Sequence, residues 1–174
     1  MRALFHTAAA VGAGLVLLAA TGCSQSEGGD QPPPRQPDAL AGVDACSILT
    51  PQDASAAGVS PSGSPQTDVS SEPGCYYDGD AMTVTTYKNL KDTVDSSSKK
   101  SNWAKFDRVD VNGRPGATAV SSGSTEAQIC STMFDAGKGM IRVSAHGKNA
   151  GDQSACDQSQ KIAKQIEPRM PKKQ

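Results

Sequence analysis

Apolar residues are concentrated at the start of the chain and then thin into short alternating runs. From about Ala8 to Ala20 the sequence is uncharged and apolar, with Arg2 the single charge before it. That run is roughly 13 residues, short of the about 20 that a spanning helix needs. A basic start, a short apolar stretch and small residues at its exit predict a secretory signal over residues 1–22. The exit is Ala20-Thr21-Gly22-Cys23.

Beyond a polar stretch at 24–43, hydrophobic spacing predicts the elements of one domain. Thr50-Pro51-Gln52-Asp53 reads as an N-cap followed by proline at the first helical position, opening a helix over 51–57 that stops at Gly58. Residues 60–73 are rich in Ser, Pro and Gly and read as loop. Asp78-Gly79 signals a hairpin turn. Met82, Val84 and Thr86 then alternate with Thr83, Thr85 and Tyr87, the period of a half-buried strand. Leu90 to about Lys100 is a weak helix, because its serines compete for helical hydrogen bonds.

Phe106–Val111 and Ala117–Val120 read as short strands separated by Asn112-Gly113 and Pro115-Gly116. Two clearer strands flank Asp135–Gly139, one presenting Ile129, Ser131 and Met133, the other Ile141, Val143 and Ala145. A last helix starts near Asp152 or Ser154, with Ala155, Ser159, Ile162, Ala163 and Ile166 at helical spacing and Pro168 ending it. The predicted order is α-β-β-α-β-β-β-β-α. The fold class is α+β, an antiparallel sheet of hairpins with helices at both ends of the domain.

Composition sharpens this organisation. Residues 23–43 are rich in Pro, Gly and Gln and read as a flexible tether after Cys23. Residues 44–170 suffice for one domain, and 171–174 form a basic tail. Without residues 1–22 the chain carries 16 Lys+Arg against 18 Asp+Glu, a formal charge of −2. Nucleic acid is therefore not an expected partner. Four cysteines remain beyond Cys23, an even number that predicts two disulfides in an exported chain. Four cysteines allow three pairings. Cys46 and Cys156 stand at helices and Cys75 and Cys130 at hairpins, a mirrored placement that favours Cys46–Cys75 and Cys130–Cys156.

The exit at Cys23 resembles a bacterial lipobox. That resemblance implies diacylglyceryl transfer to the Cys23 thiol, cleavage after Gly22, and a palmitate-bearing lipoprotein anchored on the extracytoplasmic face of the cell membrane. Asp44-Ala45-Cys46, Ile48-Leu49-Thr50-Pro51, Gly74-Cys75-Tyr76, the segment VNGRPGATAV and a cysteine-led last helix together resemble the actinobacterial DUF3558-family lipoproteins, a family of unknown function. The family's usual Asp-Pro-Cys is Asp44-Ala45-Cys46 here, and Tyr77 stands where a tryptophan is usual. The resemblance implies an extracytoplasmic lipoprotein and assigns no catalytic residue.

The residues themselves point away from an enzyme. His146, the one histidine after residue 22, is expected at a strand end, and no G-x-S-x-G elbow accompanies it. Ser96 with Lys99 and Ser97 with Lys100 have S-x-x-K spacing, but neither S-D-N nor K-T-G occurs. Gly137-Lys138-Gly139 reads as a turn. The cysteines show no metal-ligand spacing, so neither metal nor cofactor is expected. Trp103 with Tyr76, Tyr77 and Tyr87 are the candidate ligand-contact residues, set against ordinary core packing. The expected function is a non-enzymatic, membrane-anchored envelope domain that binds an unknown envelope protein or small ligand. The alternatives are an extracellular enzyme or a structural envelope protein.

Overall fold

A computed structural model describes residues 38–68, 70–123, 129–148 and 154–174. The expected signal, Cys23 and the first part of the tether lie outside the described residues. The elements are α1 (Pro51–Ala56), β1 (Ser64–Gln66), β2 (Gly74–Tyr77), β3 (Met82–Asn89), α2 (Val94–Ser97), β4 (Trp103–Val111), β5 (Arg114–Ser121), β6 (Ile129–Ala136), β7 (Gly139–Gly147) and α3 (Ser154–Ile166). Short 3-10 turns stand at Ala45–Ser47 and Glu167–Arg169. Among the described residues, seven strands form one sheet in the order β1-β2-β3-β7-β6-β5-β4, each neighbouring pair antiparallel. The fold is α+β.

Local rules place several elements as expected. Thr50 caps α1, and its hydroxyl and the Asp53 carboxylate exchange hydrogen bonds with each other's backbone N–H. Gly58 follows at φ 74°, the left-handed conformation that ends a helix. Asn112 and Gly113 both take positive φ, 52° and 87°, which is what a two-residue hairpin turn with the right twist requires.

Other elements differ from the sequence reading. Ser64–Gln66, within the expected loop, pairs with β2 as an edge strand. Three residues containing proline show no alternation, so only the neighbouring strand makes them visible. The helix expected over 90–100 is the single turn Val94–Ser97. Asn89 Oδ1 accepts from the backbone N–H of Lys91 and Asp92, and this local turn displaces helical hydrogen bonds. Pro115 and Gly116 lie within β5 and do not separate two strands. Pairing with β6 starts only at Gly116, so Pro115 sits where β5 is an edge.

The domain also extends past both expected boundaries. Leu40, assigned to the tether, is fully buried in the main core. The tail residues are hydrogen-bonded to the β6–β7 turn. Gly137 donates to the Lys172 carbonyl at 3.1 Å, and Gln174 donates to the Gly137 carbonyl at 2.8 Å.

The sheet has two unlike faces. On one, Tyr77, Val84, Phe134, Ile141 and Val143 pack with Leu40, Ile48 and Leu49 and with Ile162, Ala163 and Ile166 of α3. This is the main core. On the other, Val94 of α2 covers Ala117, Met133 and Met140 beside Trp103 and Phe106. The disulfides are Cys46–Cys75 and Cys130–Cys156, as the mirrored pattern favours. The first ties the 3-10 turn before α1 to β2, and the second ties α3 to β6.

Candidate functional site

The four candidate aromatics divide between the two faces. Tyr77 is a core residue, 1% exposed, and is removed from the ligand-contact set. Its hydroxyl donates to the Cys46 carbonyl at 3.1 Å, and burial pushes the phenol pKa up. Alternation along β2 sends the next residue back, Tyr76, to the opposite face, where its hydroxyl meets Asp78 at 3.2 Å. Tyr87 and Trp103 share that second face.

Trp103 arrives there through an irregularity. The β4–β5 register shifts between Trp103 and Lys105, so that Trp103 pairs with Ser121 while Phe106 pairs with Ala119. The bulge turns Trp103 onto the same face as Phe106, their ring centroids 6.1 Å apart. The indole N–H donates to the Ser97 carbonyl at the end of α2, at 2.8 Å. Trp103 is half-buried.

A cavity of about 260 Å³ opens beside it. Trp103 and the buried Met140 are the apolar residues of a lining that is otherwise polar. Glu72, Arg142, Lys100, Asn102 and Ser121 supply polar groups around it. Arg142 reaches the cavity from β7, held on three sides. Its Nε donates to Glu72 Oε1 at 3.0 Å and its Nη1 to Ser144 Oγ at 3.1 Å, and its guanidinium lies 4.1 Å from the centre of the Tyr87 ring. The Ser144 hydroxyl is in turn 2.6 Å from that of Ser131. Lys100 pairs with Asp92. The hydrogen bond from Lys100 holds the Asp92 carboxyl below its ordinary pKa against the opposing effect of burial. Both wall cations thus stand opposite a carboxylate.

Tyr87 backs this site and Trp103 lines it, whereas Tyr76 is not among its lining residues. Glu72, Asn102 and Arg142 were not legible as site residues. Arg142 carried one signal, a charge inside the apolar run Met140–Val143. Glu72 and Arg142 are 70 positions apart, and nothing local couples them.

The other sequence candidates take ordinary places. His146 is half-buried on β7, paired with Thr83 and Ile129 and outside the cavity. Ser96 completes the capping box of α2 with Thr93. Ser97 lines the cavity, as Lys100 does, and its hydroxyl donates to the Met140 sulfur at 3.5 Å. Gly137-Lys138-Gly139 is the β6–β7 turn, and a Cβ on Gly139 would run into the Asn89 carbonyl oxygen. Two further concavities, of about 220 and 100 Å³, abut Cys46 and the Cys130–Cys156 bridge.

Among known proteins, no curated protein and no solved structure matches this chain. One family does: the model of the protein of unknown function DUF3558 matches residues 18–169, nearly the whole chain. That span takes in both disulfides and every residue named around the cavity, and the chain therefore belongs to the DUF3558 family.

Proposed function

We propose that this protein is a lipoprotein, anchored through Cys23 on the extracytoplasmic face of the cell membrane, whose domain binds a small polar ligand and carries out no covalent chemistry. The observation that carries the binding role is the cavity beside Trp103. Its arginine is immobilised by Glu72, Ser144 and Tyr87, and its indole by Ser97, so the site is formed before a ligand arrives. The two disulfides suit an oxidising compartment. The small residues before Cys23 suit lipid attachment, and a second acyl chain would turn marginal membrane affinity into stable anchoring.

Two measurements test the proposal. Labelled palmitate should enter the wild-type chain and not Cys23→Ser, and only the wild type should partition with detergent. Wild-type protein that stays in the aqueous phase ends the anchoring claim. A small-molecule fraction of the cell envelope should change Trp103 emission. The absence of any change ends the binding claim.

A further inference from the structure

Resting on that binding role, we infer that the Trp103 cavity takes a single neutral pyranose residue. Size is the first argument. At about 260 Å³ the cavity falls just under the roughly 300–1,000 Å³ of sites for drug-sized ligands, which leaves room for one ring and its substituents.

Charge is the second. Arg142 is matched by Glu72 and Lys100 by Asp92, so the four groups sum to zero. An anion entering the cavity would compete with a carboxylate already seated, and a cation with a guanidinium or an ammonium. A neutral ligand disturbs neither pair.

The third is the distribution of polar groups. The lining combines Trp103 and Met140 with a carboxylate, a guanidinium, an ammonium, two amides and two hydroxyls. A pyranose has the matching anatomy: one face of C–H groups that packs on an aromatic ring, and a rim of hydroxyls that each donate and accept. Glu72 uses one oxygen on Arg142, and a carboxylate has about four lone-pair sites. Two of the five guanidinium N–H groups of Arg142 are engaged, by Glu72 and Ser144, among the described residues. The Glu72–Arg142 edge thus has acceptors and donors side by side, the pattern that adjacent hydroxyls satisfy. Asn102 and Ser121 flank the indole and extend the same mixed rim.

The sugar could be a free molecule or a residue of an envelope glycan, and one reporter serves both cases. Trp103 is the only tryptophan in the chain, so intrinsic emission reads this cavity directly. The full chain, with both disulfides intact and in a non-glycosidic detergent, is titrated with glucose, galactose, mannose and N-acetylglucosamine, then with soluble oligosaccharides of each. It is also sedimented with insoluble polysaccharide. At least one sugar should give a saturable blue shift and protect Trp103 from acrylamide quenching. Saturation by a monosaccharide assigns a free sugar. Saturation by oligosaccharide alone, or co-sedimentation, assigns a glycan.

Binding followed by calorimetry should weaken about tenfold or more in Glu72→Gln, the loss expected of one charge-assisted hydrogen bond. Asn102→Ala, on an exposed turn where folding is not at stake, should weaken it too. Tyr76→Phe, outside the cavity, should not change it. Equal affinity in all three variants overturns the assignment, as does a shift with uridine or a free amino acid and none with sugars. If no sugar moves the emission while an envelope small-molecule fraction does, the saccharide assignment falls and the binding role stands. If neither moves it, both fall.

Discussion

Arg114 sends its guanidinium from β5 into the C-terminal segment and meets four backbone carbonyls there and on β6. The acceptors are Asp135 at 3.1 Å, Pro171 at 2.7 Å, Glu167 at 3.2 Å and Met170 at 2.8 Å. Its Nε lies against the Glu167 carboxylate as an ion pair and not as an aligned hydrogen bond. The side chains are 9% and 4% exposed, so neither charge has water to fall back on. Removing one partner of a buried pair costs about 3–5 kcal/mol, mostly because the other is left uncompensated. Arg114→Ala should lose stability of that order in urea unfolding. Arg114→Lys should also lose stability, because three donors on a point charge cannot reproduce the fork. A loss under about 0.5 kcal/mol in both would mean that the network adds nothing net.

At the scale of elements, each disulfide holds one helical segment to one strand. The bridges close separations of 29 and 26 residues, for which loop-closure entropy suggests roughly 3–4 kcal/mol each. Replacing Cys130 and Cys156 together by alanine should therefore lower stability by about that amount. It should also raise amide exchange in α3 more than in α1. Equal protection of α3 in both proteins would show that packing on β6 and β7 suffices without the bridge. The segment before α1 is an element in the same sense. Leu40 is fully buried, and the Asp38 carboxylate accepts from the backbone N–H of Leu40 at 3.0 Å. A chain starting at residue 44 should melt below one starting at residue 36, by a margin comparable to Leu40→Ala, about 2–5 kcal/mol. Coincident melts would place Leu40 outside the cooperative unit.

Across the whole molecule, buried carboxylates couple the C-terminal segment to the rest. Burial works to raise the Glu167 carboxyl, but the Asn112 amide, the Arg114 guanidinium and Lys172 outweigh it, and the pKa lies below the ordinary 4.5. Burial likewise opposes the Asp53 carboxyl, and Thr50, Arg169 and Gln165 bring it below the ordinary 3.8. A carboxyl depressed in the folded state contributes stability above its unfolded pKa and loses that contribution as pH falls through its folded pKa. The melting temperature should thus change little on this account above about pH 5 and fall on acidification below about pH 4. Glu167→Gln should be less stable at neutral pH and show a shallower acid decline. A wild-type profile flat through that acid range would refute the assignment. Asp53 is bonded to Gln165 and Arg169, so acid should release α1 and the C-terminal segment together.

Much of this architecture is written in consecutive residues. Thr50-Pro51-Gln52-Asp53 caps its own helix, Asn112-Gly113 makes its own turn, and alternation in β3, β6 and β7 marks strands whichever neighbours they find. The cysteines pair as their mirrored placement at helices and hairpins favoured, each bridge joining positions 29 or 26 apart. The family, too, was legible in short cysteine-centred motifs. What the sequence left open depends on strand neighbours and register. Ser64–Gln66 is a strand only because β2 offers it an edge. Tyr76 and Tyr77 were alike as aromatics, and the pleat alone sent one outward and one into the core. Trp103 faces the cavity because the β4–β5 register shifts at that point, and Glu72 meets Arg142 across 70 positions. Caps, turns and alternation are local and survive in any context. A site assembled from distant residues exists only once the sheet has set which side chains share a face.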